Sequence, residues 1–177
     1  MFSRSKYFAS VLMLILGAIS LYAEDLTHYQ KCMTISFPGY TNTETLFNFP
    51  ILIVFEQTDE GSGFYYSDFL SPPDKDLRFT ADDKTTQLDY EVESWDTDGK
   101  SYVWVKIPEL NQNTKILAFW GMPNVEAPDS TEDGSVWSED YLGVWHMNDK
   151  TSTTIADRST NSYHGTKKEE DSPTEVD

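Results

Sequence analysis

The chain has 177 residues, 38% hydrophobic and 14% aromatic, and thirty acids against thirteen Lys and Arg give it a formal charge of −17. Its length allows one domain of ordinary size with appendages and excludes two full-sized ones. The charge repels phosphate backbones and anionic lipid surfaces, so nucleic acid is not an expected partner, and a lone Cys32 excludes an internal disulfide or a Cys-based zinc cluster.

Residues 1–23 read as a secretory signal peptide. Arg4 and Lys6 form a basic start, residues 8–21 are an apolar run broken by Ser10, Gly17 and Ser20, and Ala23 supplies a small residue for cleavage. Leu21 sits where a small residue is preferred, so cleavage after Ser20 competes with cleavage after Ala23. The run is short for a membrane span, and no span is expected once it is removed. The expected location is therefore secreted or cell envelope. Cys32, beside Met33 and Ile35, reads as a buried free thiol.

Beyond the signal, apolar residues alternate or cluster in short runs separated by Gly, Pro, Asp and Asn, the pattern of antiparallel strands and turns. The expected strands are 31–37, 50–56, 76–81, 88–95, 101–107, 114–121 and 141–147, with a helical turn within 63–70. Runs 51–55 and 116–120 are apolar on both faces and read as central strands. No long stretch has helical period. The expected fold is all-β, an antiparallel β-sandwich of jelly-roll-like type.

The clearest local unit is a hairpin over 88–107, turned by Asp96-Thr97-Asp98-Gly99. A two-residue loop pairs Glu91 with Lys106; a four-residue loop pairs Asp89 with Lys106 and Glu91 with Trp104. Both registers send Leu88, Tyr90 and Val92 to the face of Val103, Val105 and Ile107, because a shift by two preserves the face. The opposite face then carries Glu91, Glu93, Trp95, Tyr102, Trp104 and Lys106.

Residues 127–140 are rich in acids, Pro, Ser and Gly and read as a linker between a domain at 24–126 and a new segment at 141–177. From Asn148 onward only scattered apolar residues occur, too few for a core, and the end beyond Thr166 is expected to be disordered.

Several blocks in order carry a resemblance. Met33-Thr34-Ile35-Ser36-Phe37-Pro38-Gly39-Tyr40 precedes Glu44-Thr45-Leu46-Phe47-Asn48-Phe49-Pro50-Ile51-Leu52-Ile53. Asp76-Leu77-Arg78-Phe79-Thr80, Tyr90-Glu91-Val92-Glu93-Ser94-Trp95, Val103-Trp104-Val105-Lys106-Ile107-Pro108 and Phe119-Trp120-Gly121 follow. Over roughly residues 30–125 the chain resembles the bacterial domain-of-unknown-function family 2341, which implies an exported or surface-attached module without an assigned reaction. The tail, with Val144-Trp145-His146-Met147, Asp157-Arg158-Ser159-Thr160-Asn161 and Tyr163-His164-Gly165-Thr166, is similar to the opening of a concanavalin-like (laminin-G-like) domain. That second resemblance implies a glycan-binding or adhesive neighbour, here incomplete.

Candidate chemistry concentrates on the hairpin. Glu91 and Glu93, two apart on a strand, set carboxylates at a separation that overlaps those of glycoside hydrolases. A pair on the wet face of a strand, balanced by Lys106, gives the same spacing. Trp95, Tyr102 and Trp104 on that face form a candidate platform for sugar rings, with the two carboxylates accepting from hydroxyls; the competing reading buries the rings. Asp76 and Arg78 share a strand face and read as a structural ion pair. Asp82-Asp83 and Asp96-x-Asp98-Gly99 read as turns, with calcium as the alternative. The three His are far apart, so no metal ligand set is assigned; no cofactor is expected, and no catalytic residue is assigned. The leading expectation is a non-catalytic module for cell-surface attachment or glycan binding, its partner a glycan or another surface protein. A carbohydrate-active hydrolase using Glu91 and Glu93, and a structural spacer, are the alternatives.

Overall fold

The structure is a computed structural model that describes residues 24–168 apart from 60, 62, 138, 139 and 152. The expected signal peptide and the tail from 169 onward lie outside the described residues. Among those described, no helix is long and apolar enough to cross a membrane.

The fold is all-β. Strands β1 (Lys31–Ser36), β2 (Leu46–Glu56), β3 (Arg78–Ala81), β4 (Tyr90–Ser94), β5 (Lys100–Leu110) and β6 (Lys115–Trp120) form two antiparallel sheets, ordered β1-β6-β3 and β2-β5-β4. A short pair, β7 (Thr154–Ile155) and β8 (Gly165–Thr166), follows. Helical turns are brief: Leu26–His28, Tyr66–Asp68, Pro73–Asp76 and Asp129–Thr131.

Alternation explains the shared core. Ile53 and Phe55 of β2, Phe79 of β3, Tyr90 of β4, Val103, Val105 and Ile107 of β5, and Ile116, Ala118 and Trp120 of β6 all bury their side chains in one cluster, joined by Phe64, Leu77 and Leu88. Burying each large apolar side chain contributes about 1.5–3 kcal/mol. Strand β6 is apolar on both faces because its other face is covered too: Leu117 and Phe119 pack with Leu26 and Tyr29. It is the central strand expected of it.

Strand β2 is not. Sheet order puts β5 in the middle and β2 at an edge, so the second apolar face of β2 is left in the open, with Leu52 and Val54 exposed. Continuous apolarity signals two covered faces only when something arrives to cover the second. Cys32 departs as well. It is exposed on β1 because its neighbours Met33 and Ile35 take the inward positions.

The hairpin adopts the longer of the two registers, with Glu91 opposite Trp104 and the Lys106 N–H donating to the Asp89 carbonyl at 3.0 Å. Residues 141–147 form no strand. Their backbone is taken up instead by the loop that follows: the Val144 N–H donates to Asp157 Oδ1 at 2.7 Å, and the Val144 carbonyl accepts from the Arg158 N–H at 2.7 Å.

Candidate functional site: the covered outer face of the hairpin

Glu91, Glu93, Tyr102, Trp104 and Lys106 lie on the outer face of β4 and β5, away from the core, as alternation requires. Trp95 does not join them. The register shifts between Val92 and Ser94, so Ser94 comes opposite Tyr102. An extra residue in one strand reverses the alternation beyond it. Trp95 therefore turns inward, against Phe55, Phe64, Tyr66 and Phe69, with ring centroids 4.9–6.2 Å away. The three-ring platform expected at 95, 102 and 104 is corrected to Tyr102 and Trp104.

Trp104 is itself covered. The His146 imidazole stacks over it, centroids 6.3 Å apart and planes 19° apart, and Trp137 packs against both rings at 5.1 and 5.6 Å. Tyr141 closes on Trp137 at 5.5 Å. Beneath this layer Glu91 is only 4% exposed. Its Oε2 accepts the Trp137 indole N–H at 3.0 Å, while its Oε1 lies 3.3 Å from Arg158 Nε and 3.4 Å from His146 Nε2. Glu93 Oε2 accepts the Trp104 indole N–H at 2.6 Å and lies 3.8 Å from His146 Nδ1. The Glu93 carbonyl accepts from Asn148 Nδ2 at 3.0 Å, and Lys106 Nζ donates to the Ser135 carbonyl at 2.7 Å. A buried carboxylate is tolerable only when paired and hydrogen-bonded, and Glu91 meets that condition through residues of the cover.

The cover is built from two stretches that hold each other. The first is the segment read as a linker, in which Ser130, Thr131, Val136 and Trp137 are buried. Gly134 has φ +80°, and a Cβ there would meet the Arg158 carbonyl oxygen and Ser159 backbone at 2.8 Å, so glycine serves both the conformation and the close approach. The second stretch turns on Asp157. Its carboxylate accepts from the N–H groups of Val144, Ser159 and Tyr163 and from the Ser159 hydroxyl, at 2.7–2.9 Å. Burial acts to raise the Asp157 pKa, but these donors outweigh it and hold the group below the usual carboxylate value.

Other expected residues fall elsewhere. Asp76 and Arg78 are both buried yet do not pair. The Asp76 carboxylate instead accepts backbone N–H groups of Leu70, Ser71 and Met122. Arg78 bonds to Glu24 and to the carbonyls of Lys75, Leu77 and Glu126. Sharing a strand face was a poor guide here because Asp76 ends a helical turn and only Arg78 belongs to the strand. Asp83 accepts from Thr85 and Thr86, and those bonds hold its pKa down to about 2; Asp96 accepts from the Asp98 N–H. Both behave as turn formers. Among the described residues no group of three or more His, Cys, Asp or Glu is arranged to hold a metal ion. A cleft of about 630 Å³ opens between Asp82, Asp83, Leu88, Ile107, Glu109 and Asn113, apart from the hairpin face.

Nothing in the sequence near the hairpin marks Trp137, His146, Asp157 and Arg158 as its partners. The one available signal was Val136-Trp137, a fully apolar pair within an acidic run.

Residues 74–160 match the model of a family described as a domain of unknown function (DUF2341). The match supports the first resemblance and shifts it along the chain: it begins near Pro73–Asp76 and runs through the former linker to Thr160. Glu91, Glu93, Trp104, Trp137, His146 and Arg158 all lie inside it. No curated protein and no solved structure matches the chain.

Proposed function

We propose that the chain is an exported, non-catalytic module of the bacterial cell surface whose role is structural, a spacer that seats the polypeptide following it on the outer face of its β2-β5-β4 sheet. The observation that carries this reading is the use made of Glu91. Its Oε2 is engaged by Trp137 and its Oε1 by Arg158, with His146 packed alongside, all side chains delivered by residues 134–158 of the same chain. A glycosidase acid or nucleophile must instead face a sugar and a water. A sugar platform needs an open ring face, and the face of Trp104 is taken by His146. In this reading the stretch that follows the two sheets, as far as residue 168, is docked on the module rather than tethered to it, and other surface proteins are its natural partners.

Thermal melting of Trp104→Ala beside the parent, with a glycan-array screen of both, tests the proposal. The expected result is a melting point lowered by several degrees and no glycan retained by either protein. An unchanged melting point together with glycan binding by the parent that the variant loses would replace the spacer by a lectin-like module.

A further inference from the structure

We draw no further inference here: the strongest candidate, the surface patch of exposed apolar side chains at Leu142, Trp145, Met147 and Tyr163 on the stretch that covers the hairpin, carries none because nothing in the structure shows what covers it.

Discussion

The two faces of the β4–β5 hairpin are built from the same ten or so residues and are covered by different physics. On the inner face Tyr90, Val103, Val105 and Ile107 meet side chains of both sheets and are dry. On the outer face Glu91, Glu93 and Trp104 meet Trp137, His146 and Arg158 through indole N–H bonds, ion pairs and ring stacking. The inner contacts depend on shape and buried area, the Tyr90 hydroxyl alone adding polar bonds, to the Asp74 and Leu77 carbonyls. The outer ones depend on directional polar contacts and on a later stretch of chain staying in place, so this face should be the first to give way.

The largest expected effect is on the inner face. Ile107→Ala should destabilise the protein by about 2–5 kcal/mol, as truncations of buried Ile do, with little dependence on pH or salt; denaturant unfolding at two salt concentrations checks both points. On the outer face, Glu91→Ala leaves Arg158 and the Trp137 indole unmatched. A loss of about 2–4 kcal/mol is expected, near the lower end for a broken buried pair because the Arg158 side chain is 39% exposed. A smaller loss for Glu91→Gln, which keeps one acceptor for the indole, would confirm that the hydrogen bond matters beside the charge.

The contrast also explains what could be read from the sequence. The inner face followed from alternation, since Val103, Val105 and Ile107 face one way in either register. Strand β6 was equally legible, its two apolar faces each finding cover. The outer face was legible only in part, because a side chain's neighbours there come from residues about 30 to 70 positions later, and no local pattern announces that Trp137 or Arg158 will return to Glu91. Trp95 was misplaced by a single extra residue after Val92, which composition does not reveal. Asp157 looked like a motif of a separate domain, yet it is the hub that folds the cover onto this one.

A third way to separate the faces is acid. The Asp157 pKa is depressed in the folded state, so the stability it contributes is fully present above the ordinary carboxylate pKa of about 4 and is lost as pH falls through that value toward the folded one. The protection factors of the Val144, Ser159 and Tyr163 amides, taken relative to the intrinsic exchange rate at each pH, should therefore fall at low pH before those of Val103 and Val105. Simultaneous loss of protection in both groups would mean that the two faces unfold as one unit. The smallest effect concerns Asp89. Burial raises its pKa in spite of Lys106 at 3.7 Å, so the charged form is disfavoured on folding and the resulting loss of stability appears as pH rises past the ordinary carboxylate value. Asp89→Asn should raise the melting point slightly at neutral pH and leave it unchanged well below pH 4, which paired thermal melts would reveal.

The outer face is a seat already occupied by the chain's own later residues. Hydrogen exchange of the indole N–H groups, followed by nuclear magnetic resonance, reads it directly, with the deeply buried Trp120 indole as the internal standard for protection. Slow exchange is expected at both Trp104 and Trp137, with acceleration at both in Arg158→Ala while Trp120 stays protected. Exchange of Trp104 and Trp137 at the rate of a free indole in the parent protein would contradict it, because the face would then be open to solvent and to ligands.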